Sequence, residues 1–426
     1  MTNSRVAIIG GGIGGLCLAQ GLRGAGVDVT VYERDRTPAD RLQGYRIHID
    51  PAGARALHEC LPRELWEAFL ATAGKSGQDF GFLTEKMGRL LLLETPHRPD
   101  PLDNHHSVSR ITLRQVLLSG LSDVVRFGRI YERYTREQDG TITLHFADGT
   151  AETADIVVAA DGGNSRVRKQ YLPHAPRIDT GILTVAGKFP LTDETRDLVA
   201  PRLWRGPNMV IPPKGCGMFT APQEFNDIEE IKYLGGSVPT SGIGRTEQPG
   251  ALFDNTGDYV MWVFGAAGGR FPDGLSGMTG EHLRDTVARM IAGWHPDLRR
   301  LVTDSTPETV SLLPIRTSVP IAPWPATNIT LLGDAVHSMT PMRGIGANIA
   351  LRDACLLARA LSGEGDPVTA IAGYEAEMRE YGFAAVRRSL MAARQFVNES
   401  RLARGGFRTA LRAAQRLPAL RRRALS

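Results

Sequence analysis

The sequence predicts an α/β protein in which a parallel-sheet domain carries an inserted, mostly antiparallel sheet and is followed by a helical C-terminal segment. Three observations predict this architecture. They are a strand–helix–strand pattern at the N-terminus, strand patterns without intervening helices between residues 176 and 300, and helical periodicity near the C-terminus. A chain of 426 residues is longer than one hydrophobic core usually supports, so two domains are expected.

A strand, a helix and a second strand are predicted in succession at the N-terminus. Arg5–Ile9 is a short apolar run, typical of a buried parallel strand. Gly14–Ala25 has leucines and alanines at helical spacing, and the glycines at 24 and 26 indicate where that helix ends. Val27–Tyr32 then alternates apolar and polar residues, as a strand does.

The later elements are predicted from periodicity and turn residues. Asp148 and Gly149 predict a hairpin turn between the strand patterns Thr141–Phe146 and Thr150–Ala159. The strands of the inserted sheet are predicted at Ile178–Phe189, Met209–Phe219, Ile231–Leu234 and Tyr259–Phe264. One more strand and the later helices are predicted at Asn328–Leu332, Glu281–Trp294, Ala347–Leu361 and from Pro367 onward.

Charge and cysteine content exclude several classes of protein. The net charge is +4, but residues 401–426 contain eight arginines and no acidic residue, which leaves −4 for the rest of the chain. Nucleic-acid binding by the body of the protein is therefore not expected. The four cysteines form no C-x-x-C pair, which argues against disulfides or a metal site and favours a reducing cytoplasm. No apolar stretch of about 18 residues predicts a membrane span.

A glycine motif, G-x-G-x-x-G, lies at Gly10, Gly12 and Gly15 between the first strand and the first helix. Gly10 allows a tight turn, Gly12 lets the backbone approach a pyrophosphate, and Gly15 lets the helix pack closely on the strand. The helix N-terminus then offers free N–H groups to an anion. Glu33 ends the second strand, where its carboxylate can bind ribose hydroxyls and would repel a 2′-phosphate. The motif therefore predicts FAD or NAD.

Two distant segments favour FAD over NAD. Residues 159–168 read A-A-D-G-G-N-S-R-V-R, and Asp334 follows an apolar strand and a glycine, from where its carboxylate can reach a polyol. After Pro341, Gly344 and Gly346 open a helix whose N–H groups can face an anion. A reduced flavin carries such a negative charge, which a helix N-terminus stabilises.

These three motifs resemble those of the class A flavoprotein monooxygenases, the family of p-hydroxybenzoate hydroxylase, and the resemblance spans about residues 5 to 400. It implies a Rossmann-type FAD-binding domain. It implies that the ADP half of FAD is bound by Gly10, Gly12, Ile13, Gly14, Gly15, Glu33 and Arg34. It implies that the rest of FAD is bound by Arg110, Asp161, Gly162, Asp334, Pro341, Gly344, Gly346 and Asn348, and that the segment with Asp161 and Gly162 also takes part in NAD(P)H binding. Ile345 departs from the family pattern, in which many relatives carry glutamine.

The resemblance also implies an activity. Family members use NAD(P)H as a transient co-substrate to reduce FAD, and dioxygen then forms a flavin C4a-hydroperoxide that hydroxylates an aromatic or polyketide-like small molecule. Baeyer–Villiger, epoxidase and non-redox (cyclase or isomerase) activities on the same fold remain the alternatives. A C-x₄-C dithiol is absent from the sequence, which disfavours a disulfide reductase. The expected protein is a monomer or homodimer without a nucleic-acid or membrane partner.

Candidate catalytic residues lie on a strand that the resemblance places beside the flavin. Arg46 and His48 alternate on one face of it, where Arg46 can balance a reduced flavin and His48 can deprotonate a phenol. The alternative is that both are polar residues on a solvated strand face. His337 is expected to be structural, whereas His105 and His106 are expected on a loop.

The division into domains follows from the same patterns. The FAD-binding domain is expected at residues 1–75, 105–175 and 300–365, the substrate domain at 76–104 and 176–299, and C-terminal helices at 366–426. In the inserted sheet, Val260, Trp262 and Phe264 share one strand face, for which core packing is expected and a pocket-lining role is the alternative. The arginine-rich segment is expected to form a solvated or partner-packed helix, with an acidic membrane surface as the alternative.

Overall fold

The structure is a computed structural model that describes residues 4–38, 40, 46–74, 79–95, 97–225 and 257–417. The predicted strand Ile231–Leu234 lies outside these residues. The strands are β1 (Val6–Ile9), β2 (Val29–Tyr32), β3 (Arg46–Ile49), β4 (Asp79–Leu83), β5 (Arg89–Glu94), β6 (His106–Ser109), β7 (Val125–Arg126), β8 (Tyr131–Arg136), β9 (Ile142–Phe146), β10 (Ala151–Ala154), β11 (Ile156–Ala159), β12 (Arg177–Pro190), β13 (Asn208–Val210), β14 (Cys216–Gln223), β15 (Tyr259–Ala267), β16 (Ser311–Ser318) and β17 (Ile329–Leu331).

The helices interleave with these strands. They are α1 (Ile13–Gly24), α2 (Pro51–Cys60), α3 (Arg63–Thr72), α4 (Arg110–Leu118), α5 (Arg166–Tyr171), α6 (Asp193–Arg196), α7 (Arg202–Arg205), α8 (Gly280–Met290), α9 (Pro296–Thr303), α10 (Asp334–His337), α11 (Gly346–Ser362), α12 (Pro367–Phe396) and α13 (Arg401–Arg416).

The first sheet is parallel and has the strand order β17-β11-β1-β2-β7. Its central residues, such as Ile8, Val31 and Val158, are fully buried, as expected when helices cover both faces of a sheet. Helices α1, α2 and α11 pack together over this sheet. The predicted strand–helix–strand start is therefore confirmed, and the carboxyl ends of β1, β11 and β17 meet at one edge.

The second sheet has seven strands in the order β16-β12-β15-β14-β13-β4-β5. All of its pairs are antiparallel except β13 with β4, so the prediction of a mostly antiparallel sheet is confirmed. β16 joins this sheet beside β12, although the sequence analysis assigned residues 300–365 to the FAD-binding domain. Helices α8 and α9 cover one face of the sheet, where a separate hydrophobic core forms.

Several predicted elements have different bounds in the structure. The strand expected at Met209–Phe219 is two antiparallel strands, β13 and β14, because Pro212, Pro213 and Gly215 form the turn between them. The strand expected at Thr150–Ala159 divides at Asp155, where β10 leaves the hairpin and β11 enters the parallel sheet. The helix expected to reach Trp294 ends at Met290.

The arginine-rich helix α13 packs against the sheet of its own chain. Leu411 and Ala414 bury against β5, the edge strand of the large sheet. The side-chain oxygen of Gln415 accepts a hydrogen bond from the Leu92 N–H at 2.7 Å. This contact occupies a backbone donor that an edge strand would otherwise expose. The partner expected for this helix is thus intramolecular, and Pro418 and the residues beyond it lie outside the described chain.

Two further findings concern the sequence predictions. All four cysteines, Cys17, Cys60, Cys216 and Cys355, are buried free thiols. Among the residues that the structure describes, no helix combines the length and apolar character needed to cross a membrane.

Candidate active site

A cavity of about 1350 Å³ lies between the carboxyl edge of the parallel sheet and one face of the large sheet. Its first wall consists of backbone-rich loops: the glycine motif after β1, the segment after β11, and the loops around α10 and α11. Its second wall consists of strand side chains, among them Phe219, Met261, Val263 and Leu313. We call the first wall the nucleotide end of the cavity and the second wall the sheet end. In open α/β sheets, ligands bind at this carboxyl edge.

The glycine motif has the geometry that nucleotide binding requires. Gly10 has φ +110°, and a Cβ there would lie 2.4 Å from the carbonyl oxygen of Ala160. A Cβ on Gly15 would lie 2.2 Å from the Gly10 carbonyl oxygen, so helix and strand are in close contact. A Cβ on Gly12 would meet no described atom within 4 Å, because this residue faces the cavity together with Ile13 and Gly14.

Glu33 is buried beside the glycine motif and does not itself line the cavity. Its carboxylate accepts hydrogen bonds from the Gly11 N–H at 2.7 Å and from the Asp35 N–H at 2.9 Å. Arg114 donates to the Gly11 carbonyl at 3.1 Å and lies 4.0 Å from the Glu33 carboxylate. Sequence analysis missed Arg114, since one arginine among several in a helix carries no local signal. Arg34 is exposed and is not part of the cavity wall.

The segment after β11 brings Asp161 and Gly162 to the same edge. One Asp161 oxygen accepts from the Arg166 N–H at 2.7 Å, and the other is buried without a hydrogen-bond partner among the described residues. Burial raises the pKa of Asp161. Gly162 lines the cavity with φ +76°. Arg168 is buried and donates to the Ala335 carbonyl at 2.7 Å, which ties this segment to α10.

Asp334 begins α10, is exposed, and lines the cavity. The turn before it is fixed from behind by Asp353, which accepts from the Gly333 N–H at 2.7 Å. Asp353 also contacts His337 at 2.6 Å and accepts from the Tyr381 hydroxyl at 2.5 Å. Burial lowers the pKa of His337, but the Asp353 carboxylate outweighs burial and the net direction is upward. His337 is fully enclosed, so its expected structural role agrees with this geometry.

The loop before α11 contributes Pro341, Gly344 and Gly346 to the cavity wall. Gly344 has φ +63°, a conformation that favours glycine. Asn348 is buried and does not line the cavity. Its side chain accepts from the Asp50 N–H and donates to the His48 carbonyl, both at 2.9 Å, so it holds strand β3 against α11.

Arg46 and His48 both line the cavity from β3, and Arg110 lines it from the start of α4. The Arg46 guanidinium donates to the Ser107 hydroxyl, and burial lowers the pKa of Arg46 to about 10. The His48 ring stacks on His105 with centroids 4.9 Å apart. Burial, together with the Arg46 charge, lowers the pKa of His48 to about 3, so this imidazole is neutral at pH 7.

The neutral state of His48 changes its expected chemistry. A base with a pKa near 3 is too weak to remove a phenolic proton efficiently at neutral pH. His48 is therefore better suited to a neutral hydrogen-bonding role. His106 was expected on a loop but begins β6, with its ring nitrogen 2.9 Å from the Pro101 carbonyl oxygen. That strand was missed because its residues, H-S-V-S, include only one apolar side chain.

The structure decides between core packing and pocket lining for the strand face that carries Val260, Trp262 and Phe264. Val260, Trp262 and Phe264 are fully buried in the core beneath α8 and α9, and the Trp262 indole donates to the Ser305 hydroxyl at 2.6 Å. Core packing is therefore correct for this face. The intervening residues Met261 and Val263 point to the opposite face and line the cavity.

Comparisons with known proteins identify the domain that carries this site and a similar solved structure. Residues 3–186 and 281–389 match the FAD binding domain family. A solved structure from Photorhabdus luminescens, assigned to the FAD containing monooxygenases, has a TM-score of 0.80 and 36% identity, covering 92% of this chain and 98% of that one.

Relatives found by sequence similarity also have names of FAD-dependent enzymes. The dual O-methyltransferase/FAD-dependent monooxygenase elcB of Phaeosphaeria nodorum is 30% identical over 91% of this chain, which spans only 45% of that longer protein. The FAD-dependent urate hydroxylase of Klebsiella pneumoniae is 26% identical, with 88% of this chain and 85% of the relative covered. The matched FAD binding domain and the solved structure from Photorhabdus luminescens show that the chain belongs to the class A flavoprotein monooxygenase family, whose cofactor is FAD.

Proposed function

We propose that the protein is an FAD-dependent monooxygenase that uses NAD(P)H to hydroxylate an aromatic or polyketide-like small molecule. The observation that carries this proposal is the two-sided cavity, in which a nucleotide-binding loop edge faces an apolar sheet wall. A site that must hold a redox cofactor against an organic substrate and exclude water requires these two surfaces. The urate hydroxylase, whose name gives a small ring compound as its substrate, supports the substrate class, and the name of elcB supports monooxygenase activity.

The residues of the nucleotide end fit FAD. The space beside Gly12 admits a close approach by a pyrophosphate, which the N-terminal N–H groups of α1 would bind. Arg110 would hold the phosphate portion and Asp334 the ribityl portion, whereas Glu33, which does not line the cavity, would support the ADP portion by fixing the backbone of Gly11 from behind. Asp161 does not line the cavity and would act by accepting from the Arg166 N–H at the start of α5, which positions the neighbouring Gly162 in the cavity wall.

The residues near the flavin ring would bind and orient rather than react. When bound, FAD supplies the redox chemistry, accepting hydride from NAD(P)H and activating dioxygen. The loop from Pro341 to Gly346 and the N-terminus of α11 would stabilise negative charge on the ring. Arg46 adds a partly buried positive charge to the cavity, and His48 presents a neutral imidazole. Met261 and Val263 would exclude water from the substrate.

The proposal is tested with purified protein. We expect a yellow protein with bound FAD that oxidises NADPH or NADH faster in the presence of one member of a phenolic and polyketide panel. With ¹⁸O-labelled dioxygen, one labelled atom should appear as a hydroxyl in the product. A labelled ester or epoxide would instead indicate Baeyer–Villiger or epoxidase activity. Product formation without NAD(P)H consumption would indicate a non-redox activity, and a protein unable to take up FAD would contradict the proposal.

A further inference from the structure

A second cavity of about 570 Å³ lies behind the first, between the large sheet and the C-terminal helices α12 and α13. This volume is within the range of about 300–1,000 Å³ typical of small-molecule pockets. The two cavities share a wall made by strands β4, β5 and β13 and by the loop before α11. The shared residues are Phe80, Leu93, Met209, Met342 and Arg343. The second cavity therefore adjoins the proposed active site.

The second cavity is apolar with a positive charge. Beyond the shared wall its lining includes Phe396 and Phe407, and among the described lining residues there are two arginines, Arg343 and Arg404, and no acidic residue. The neighbouring acids are engaged elsewhere, since Glu399 lies 3.5 Å from an arginine outside the lining. Such a cavity favours a ligand with an apolar body and an oxyanion.

The Arg404 guanidinium is the unusual feature of this cavity. It is buried, and within the described chain it donates to four backbone carbonyls: Pro212 at 2.8 Å, Cys216 at 2.7 Å, Phe396 at 3.0 Å and Asn398 at 3.3 Å. These bonds occupy four of its five N–H groups, and the side chain keeps a full positive charge beside a cavity lined mostly by apolar side chains. A buried charge of this kind is stabilised by an opposite charge brought near it.

We propose that the second cavity is a distal subsite for the substrate of the flavin site. It accepts an elongated molecule whose reacting ring lies at the sheet end of the first cavity, and whose apolar chain ends in a carboxylate near Arg343 and Arg404. This inference rests on the proposed function. The shared wall carries the assignment to the same molecule, because in the described chain only five side chains separate the cavities and a chain that displaces the flexible Met209 and Met342 side chains would pass from the first cavity into the second.

The first test uses chain length in the FAD-loaded protein. The probes are 3-(4-hydroxyphenyl)propanoate and 9-(4-hydroxyphenyl)nonanoate, each also as its methyl ester, titrated against the visible flavin spectrum. A fully buried methylene tightens binding by about fourfold, so even partial burial of six more should lower Kd by at least about tenfold. The nonanoate should bind more tightly than its ester. Equal Kd values for the short and long acids would overturn the proposal.

Matched variants localise the effect. Ala392 lines only the second cavity, whereas the adjacent Met391 is 67% exposed on the same helix. Ala392→Trp should abolish the gain from chain length and leave the short acid unaffected, while Met391→Trp should change neither. Arg343→Gln should reduce the preference for the acid over the ester. Thermal unfolding and FAD content, measured for every variant, separate a blocked subsite from misfolding.

The remaining outcomes are also distinct. If Ala392→Trp weakens NADPH or NADH instead of the long acid, the cavity serves the reductant and the proposal is wrong. If neither the wild-type protein nor any variant retains FAD, the proposed function is wrong and the subsite is not tested separately. If FAD is retained and the wild-type protein binds the short and long acids equally, only the subsite inference fails.

Discussion

The two ends of the main cavity are built differently. At the nucleotide end the wall is mostly backbone, with Gly12, Gly162 and Gly344 facing the cavity and buried side chains such as Asp353 fixing the loops from behind. At the sheet end the wall is made of side chains from strands far apart in sequence. A backbone wall tolerates few substitutions because every added atom occupies ligand space. A side-chain wall can change its shape by substitution while the sheet persists, which suits it to substrate selection.

The sharpest test compares two glycines of one motif. Gly15→Ala should prevent correct packing of α1 and abolish FAD binding, because its Cβ would lie 2.2 Å from the Gly10 carbonyl oxygen. The Cβ added by Gly12→Ala would meet no described atom within 4 Å, so this variant should fold normally. We expect it to weaken FAD binding by about 100-fold, a change of about 2.8 kcal/mol, measured by titration of the apoprotein.

The control for this pair is Gly24→Ala at the end of α1, where an added Cβ also meets nothing within 4 Å. It should leave both FAD affinity and thermal unfolding nearly unchanged. If Gly12→Ala bound FAD as tightly as the wild-type protein, the nucleotide end would not be the cofactor site, and the comparison would fail.

The second test compares the two faces of β15. Trp262→Ala should lower the free energy of unfolding by about 3–5 kcal/mol, the usual cost of deleting a buried aromatic side chain. Val263→Ala, on the cavity face, should cost about 1 kcal/mol or less and should mainly change KM for the substrate. Urea unfolding and steady-state kinetics measure the two effects. A large loss of stability from Val263→Ala without a change in KM would remove Val263 from the substrate wall.

The third test concerns pH and the core behind the nucleotide end. Glu375 is buried, accepts a hydrogen bond from Thr330 of β17 at 2.8 Å, and burial raises its pKa to about 7. Because the folded pKa exceeds the unfolded value of about 4.3, this group's contribution to stability is full below pH 4 and is lost as pH rises to 7. The loss amounts to about 3–4 kcal/mol.

Glu375→Gln should remove that part of the pH dependence, measured by urea unfolding between pH 5 and 8. Glu377→Gln, an exposed acid on the same helix, should leave the slope as in the wild-type protein. An unchanged slope in Glu375→Gln would mean that another group titrates in this range.

The smallest expected effect is at His48. A general base contributes about 10²- to 10⁴-fold to a rate, whereas a neutral hydrogen-bonding residue contributes less. Because the pKa of His48 is lowered to about 3, His48→Gln should reduce kcat by less than about tenfold and leave the pH profile between 6 and 8 unchanged. His145→Gln, on β9 and outside the cavity wall, is the control. A fall of more than about 100-fold would make His48 a catalytic base.

Sequence and tertiary structure contributed differently to the two ends. The sequence by itself determined the strand–helix–strand start, the antiparallel insertion and most of the nucleotide end. Its signals are local there, since Gly10, Gly12 and Gly15 act through backbone conformation and close packing within a few residues. Even so, Asn348 was expected along the flavin, and only the folded chain showed its side chain bound to the β3 backbone.

Only the tertiary structure decided the sheet end and the second cavity. Alternation along β15 indicated that its two faces differ, but the covering helices α8 and α9 determine which face is core. The same holds for Arg114, Asp353 and Arg404, whose partners lie 103, 20 and 192 residues away in sequence. Contacts between distant segments depend on how sheets and helices pack, and the local periodicity of the sequence does not predict that packing.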